Sequence, residues 1–181
     1  MLRVAVVGSS HVRHMDHNNE FIYGTSVTKY FWKSGGIVEQ MYSFMSVLRN
    51  YGPQVIFLQI GGNDIVGSTS PERLADDIFR LCRDLLCGIS GLQCVVVGSL
   101  FVRLQTRGVL ATQYEFLRQR VNNCLASQSC NRVVFWWHKR LIPSCLAEDG
   151  VHLNVRGNVR LFMSMRAAVI VFSSGQFWFQ S

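Results

Sequence analysis

Four short stretches carry residue types that could transfer an acyl group. They are "VVGSSHV" at Val6–Val12, "KSGGIV" at Lys33–Val38, "QIGGNDI" at Gln59–Ile65 and "EDGVHLN" at Glu148–Asn154. A serine hydroxyl is a weak nucleophile until a neighbouring base takes its proton. His152 is a candidate base. Asp149 stands three residues before it, close enough in a tight turn to fix the imidazole tautomer and stabilise the imidazolium. The oxyanion of an acyl-transfer intermediate needs fixed donors. Asn63 offers a side-chain amide, Gly36 or Gly35 a backbone N–H with no side chain in the way, and Ser10 its own N–H. Ser9 and Ser10 both follow Gly8; the spacing favours Ser10 as nucleophile. Taken singly, each stretch is ordinary turn chemistry. Taken together, they supply nucleophile, amide, glycine donor and Asp/His pair in one chain.

These residues act only if the fold brings them to one place. Leu2–Val7, Thr25–Trp32, Gln54–Ile60, Cys94–Phe101 and Arg132–Trp137 read as strands, rich in β-branched and aromatic residues. Helical spacing follows Gly35-Gly36, through Ile37, Val38, Met41, Met45 and Leu48. It recurs after Ser70-Pro71, an N-cap with proline at the first helical position, through Leu74, Ile78, Leu81, Cys82 and Leu85, with Gly88 to end the helix. Thr112-x-x-Glu115 reads as a capping box, followed by Tyr114, Leu117, Val121 and Leu125. Asn154 can cap a last helix carrying Val155, Val159, Phe162 and Val169. Alternating strands and helices predict a parallel sheet covered on both faces. Such sheets place ligands at the carboxyl ends of their strands. All four stretches lie just past a strand or just before a helix.

Bulk properties fit this reading. The 181 residues suit one domain, here placed at residues 1–172, with 173–181 as a tail whose Phe177, Trp178 and Phe179 could dock. At 49% hydrophobic and 16% charged, the chain can bury a sizeable core. A net charge of +7 favours acidic partners without naming one. The six cysteines form no C-x-x-C pair, and the first apolar run lasts only to Val7. Both features predict a reduced, intracellular protein, cytoplasmic by preference. No apolar stretch is long enough to span a bilayer. There is no Walker loop, no G-x-G-x-x-G and no G-x-S-x-G elbow.

The four stretches resemble the blocks of the SGNH hydrolases, the family that includes the GDSL esterases and lipases. The resemblance runs from Val4 to about Gly157, with G-x-N-D and D-x-x-H intact. It implies a flavodoxin-like three-layer α/β/α sandwich with a five-stranded parallel sheet. It implies Ser10, Asp149 and His152 as catalytic triad, and Ser10, Gly36 and Asn63 as oxyanion hole, with Gly35 the alternative donor. Ser9 departs from the family's usual aspartate. Ser9, His11, Gly35, Asp64 and His138 are candidate pocket residues. His14 and His17, with Asp16 between them, are read as flanking the pocket entrance; neither metal nor cofactor is expected. "GSSHVRHM", "FWWHKR" and "DGVHLNVRGN" are similar to the SGNH domains of animal retroelements, which implies RNA or DNA as a further partner. No RNA-binding motif is present, and the arginines equally suit a solvated face. The expected activity is hydrolysis of small acyl esters, acetyl by preference. The alternative is a weakly active or inactive module binding RNA or a protein. The oligomeric state is left open.

Overall fold

Val4, Val6, Val55, Phe57, Cys94 and Val96 face one side of a sheet, and Ala5, Val7, Ile56, Leu58, Val95 and Val97 the other. Both sets are buried. A strand covered on both faces has no polar side to show, so these segments read as unbroken apolar runs. The computed structural model describes residues 2–15, 26–106 and 108–173. Its strands are β1 (Leu2–Gly8), β2 (Ser26–Trp32), β3 (Val55–Gln59), β4 (Cys94–Gly98) and β5 (Val133–Trp136). They form one sheet in the order β2-β1-β3-β4-β5, with every pairing parallel.

Helices close both faces. α1 (Ser10–Arg13) and α5 (Val155–Ser173) cover one, through Val12, Leu161, Met165, Ala168 and Val169. α2 (Met45–Tyr51), α3 (Pro71–Gly88) and α4 (Ala111–Ser127) cover the other. Leu48, Ile78, Leu81, Val121 and Leu125 fill that layer. Ser70 caps α3 as expected, its hydroxyl accepting from Arg73 N–H at 3.3 Å. Asn154 caps α5 through Gly157 N–H at 2.9 Å.

Three local expectations are corrected. The segment after Gly35-Gly36 is a 3₁₀ helix over Val38–Phe44 before it becomes α2. The capping box at Thr112 and Glu115 does not form. α4 begins one residue earlier, at Ala111, and the Glu115 carboxylate is taken by Arg118 at 2.6 and 2.8 Å. In α5, Val155 and Val159 are exposed, and the buried face is Leu161, Met165, Ala168 and Val169. The cap at Asn154 starts the helix where expected, and Val169 and Phe162 pack on the core as expected; only Val155 and Val159 turn outward. Among the described residues, no helix is long and apolar enough to cross a membrane. All six cysteines are free thiols. Phe177, Trp178 and Phe179 lie outside the described residues.

The strand order has one consequence for function. β1 and β3 are neighbours although β2 falls between them in sequence. Connections from β1 and β3 therefore leave in opposite directions, opening a crevice at their carboxyl ends. Gly8 ends β1 there. A Cβ at this position would lie 2.3 Å from the Gln59 carbonyl oxygen and 2.8 Å from Val12 Cγ2. Backbone cannot yield as a flexible side chain does. Gly8→Ala should therefore destabilise the fold by about 3 kcal/mol, read as a lower urea midpoint.

Candidate active site

Ser10 starts α1, a single turn immediately after β1. The turn is held by Ser9 N–H to the Gln59 carbonyl at 3.2 Å and Val12 N–H to the Ser9 carbonyl at 3.0 Å. A residue in the first turn of a helix has a backbone N–H without a helical partner, which leaves that of Ser10 for other use. Its hydroxyl lies 3.1 Å from His152 Nε2.

His152 is fixed from behind. Asp149 Oδ2 lies 2.5 Å from His152 Nδ1, while Oδ1 accepts from the backbone N–H groups of Val151 and His152, both at 2.9 Å. One carboxylate thus grips both the ring and the main chain of the same residue. Nδ1 donates to Asp149, so Nε2 faces Ser10 as an acceptor. The imidazole hydrogen bond, aided by the two backbone N–H groups, holds the Asp149 carboxyl well below the usual carboxylate range. Gly150 makes the turn at φ 65°, where a side chain would be strained. Its carbonyl accepts from Leu104 N–H at 2.8 Å, tying this loop to the one that leaves β4.

Asn63 comes from the turn after β3. Its Nδ2 donates to the Gly36 carbonyl at 2.9 Å, and its Oδ1 accepts from the Arg103 guanidinium at 2.8 Å. A carbonyl only accepts and a guanidinium only donates, so these partners fix which way the amide faces. The second N–H of Nδ2 remains for a ligand. Ser10, Ser34, Gly35, Asn63, Arg103 and His152 are among the residues lining a shared cavity of about 790 Å³. Asp149, Tyr114, Ile65 and Val66 contribute to its walls.

The remaining candidates take other places. Gly36 N–H donates to the Lys33 carbonyl at 3.0 Å and is engaged within its own turn. Gly35, at φ 64°, lines the cavity. Asp64 does not line it; its carboxylate accepts from Val38 N–H at 3.1 Å and anchors the 3₁₀ helix after Gly36. Burial raises its pKa to about 6. Ser9 and His11 line a separate void of about 10 Å³ beneath the cavity, with Gln59, Arg103 and Tyr114. That is room for about one water. His11 packs edge-on to Phe101, centroids 4.8 Å apart, with its ring 5.9 Å from that of His152. Burial first, then the nearby Arg103 charge, lowers its pKa to about 3, so it is neutral. His14 directly follows α1, while Asp16 and His17 lie outside the described residues.

His138 is not part of the cavity wall. It is buried on the sheet face under α5, with Nδ1 2.8 Å from Ser164 Oγ and Nε2 2.9 Å from Gln59 Oε1. Gln59 Nε2 donates to the Ser99 carbonyl at 3.1 Å, so its Oε1 faces the imidazole and His138 Nε2 must donate. Burial lowers the His138 pKa to about 3.

Two residues in this region went unflagged by sequence. Gln59 closes an apolar strand and lies beneath the Ser9 turn; a lone amide at a strand's carboxyl end was its signal. Arg103 lies in the loop that leaves β4, whose end carries no turn motif to mark it. Asn122 and Arg118 of α4 pin its loop through Leu100, Asn122 Oδ1 accepting from Leu100 N–H at 2.9 Å and Arg118 donating to the Leu100 carbonyl at 2.9 Å.

Comparison with solved structures bears on the fold. A carbohydrate esterase family 3 protein from Talaromyces cellulolyticus superposes with a TM-score of 0.73 at 13% identity, over 96% of this chain and 99% of that one. An acetyl esterase mutant holding acetate gives 0.72 at 13%, over 96% and 99%. A lipase/acylhydrolase from Enterococcus faecalis gives 0.67 at 12%, over 96% and 97%. The fold is that of the SGNH hydrolases. At these identities the likeness is one of fold alone. The sequence matches no protein-family model and no curated protein. In this SGNH fold Ser10 and Asn63, which follow the neighbouring strands β1 and β3, line one cavity.

The buried imidazoles make stability pH-dependent. His11 and His138 have folded pKa values near 3 against an ordinary 6.5, so each takes up a proton on unfolding between those limits. Their contribution is complete above 6.5 and is lost as pH falls. Asp64, raised from 3.8 to about 6, acts in the opposite sense over that narrower window. The two histidines outweigh it, so stability should fall on acidification below 6.5. His138→Gln should lower the slope of unfolding free energy against pH by about 1.4 kcal/mol per unit near pH 5. Urea titrations across a pH series measure this.

Proposed function

We propose that this protein is a serine esterase that hydrolyses small acyl esters, with acetyl esters in its range. The observation that carries the reading is the run from Ser10 Oγ to His152 Nε2 to Asp149, at 3.1 and 2.5 Å, opening into the cavity that Asn63 lines. His152 Nε2 takes the Ser10 proton as Oγ attacks the ester carbonyl carbon. Negative charge moves to the carbonyl oxygen, where Asn63 Nδ2–H and Ser10 N–H receive it. Gly35 supplies the further amide in preference to Gly36, whose N–H is bonded to Lys33. The tetrahedral intermediate collapses, and His152 gives its proton to the departing alkoxide. Water, deprotonated by the same nitrogen, then attacks the acyl carbon; the Oγ–acyl bond breaks, His152 returns the proton to Ser10 Oγ, and the acid leaves.

Electrostatics favour this cycle. Asp149 stays ionised because its folded pKa is depressed, so it is available to stabilise the imidazolium. Two of the fold's neighbours are, by name, a carbohydrate esterase and an acetyl esterase, which supports the choice of small acyl groups. Ser9 stands where the family has aspartate. Its backbone N–H still anchors the nucleophile's turn to β3.

The test is hydrolysis of a p-nitrophenyl ester series, with fluorophosphonate labelling of the serine. Short-chain esters should turn over best. Ser10→Ala should remove labelling and lower kcat by about 10⁴-fold or more. Asn63→Ala should lower kcat by about 10²- to 10³-fold while Ser10 still labels. A folded wild-type protein with neither turnover nor labelling would overturn the reading. What remained would be a binding module of a retroelement-derived protein, for which RNA titration is the measurement.

A further inference from the structure

We propose that Arg103 selects ester substrates carrying a carboxylate, binding that group beside the oxyanion hole. The inference rests on the esterase reading and names its substrate class. Arg118, also half-buried, is matched to an acid, bidentate to Glu115 at 2.6 and 2.8 Å, while half-buried Arg160 donates to the Arg140 carbonyl at 2.9 Å, away from the cavity. Arg103 has no such partner: among the described residues, no carboxylate lies within ion-pair distance of it. The two acids nearest the site are committed elsewhere, Asp149 to His152 and Asp64 to Val38 N–H.

Its contacts leave it facing the cavity. One N–H goes to Asn63 Oδ1, and the guanidinium carbon stands 5.5 Å from the Tyr114 ring centroid. The guanidinium also approaches Gly62, where a Cβ would lie 3.0 Å from its NH2 atom. A guanidinium carries five donors in a planar fork. Tyr114 shares a side-chain hydrogen bond with the same guanidinium. The donors not used on Asn63 and Tyr114 are a site for a planar oxyanion. A partly buried cation is costly when unpaired, and a carboxylate on the substrate would supply the missing charge. His11, the basic side chain behind it, is neutral through burial, so Arg103 is the positive charge on this wall.

The experiment compares matched esters: p-nitrophenyl acetate with mono-p-nitrophenyl glutarate, and phenyl acetate with 4-acetoxybenzoate. The first pair puts the carboxylate on the acyl side, the second on the leaving group. Arg103→Gln should lose about 10- to 100-fold more kcat/KM on the acidic member of one pair than on its neutral partner, mainly through KM. Arg103→Lys should recover part of that preference. Equal losses on all four esters would overturn the proposal and leave Arg103 as a support for Asn63. Should no Ser10-dependent turnover exist, the esterase reading fails separately, and glutarate titration of Ser10→Ala decides the anion site. Binding that disappears on adding Arg103→Gln upholds it, and no binding overturns it. Urea midpoints confirm that each variant is folded.

Discussion

At Gly8, β1 comes so near β3 that a single methyl group would collide with the Gln59 carbonyl. That approach sets the geometry of everything above it. The Gln59 carbonyl receives Ser9 N–H, which aims the turn carrying Ser10. The same strand, a few residues later, delivers Asn63. Ser10 and Asn63, the nucleophile and oxyanion donor of the proposed esterase, are thus carried by one strand pair. The Gln59 side chain extends the coupling through His138 and Ser164 to α5, the long helix on the same sheet face as α1.

Charge is arranged around this frame with little redundancy. Asp149 is spent on the base and Asp64 on the helix that follows the glycine turn. Neither offsets Arg103. The two buried histidines are neutral, and both pack against Phe101. The site is therefore held by hydrogen bonds whose directions are fixed by what each partner can donate or accept. A network of that kind orders a few atoms tightly, and it fails abruptly if one member is lost.

Much of this was legible in the sequence because sheet edges and turn residues are local signals. Strand alternation gave the layers, and Ser70 and Asn154 marked helix starts through side chains that cap nearby N–H groups. The four stretches could be assigned to one edge because parallel sheets gather strand ends there. What was not legible depended on longer reach. Thr112 and Glu115 have capping spacing, yet Glu115 found a stronger partner in Arg118. His138 looked like a pocket residue because it follows a strand; the side of the sheet it occupies is decided by Ser164, 26 residues onward. Asp64 resembled a cavity acid, but its carboxylate meets a backbone N–H from the preceding crossover. Arg103 lay beyond a strand whose end shows no turn motif. Its meaning emerges only from the absence of an acid opposite.

The hydroxyl and the imidazole that meet at 3.1 Å are separated by 142 positions along the chain. Four of the five strands of the sheet, β2 to β5, are laid down between them. During synthesis, most of this domain must therefore emerge before the pair can close. A chain ending before His152 holds the serine turn without the imidazole, and the proposed esterase would be silent in it. Contacts of such long range also form late and slowly when a chain folds. Competence at this centre thus reports completion of the tertiary structure, and a protein trapped partway would keep much of its helix and strand content while doing no chemistry.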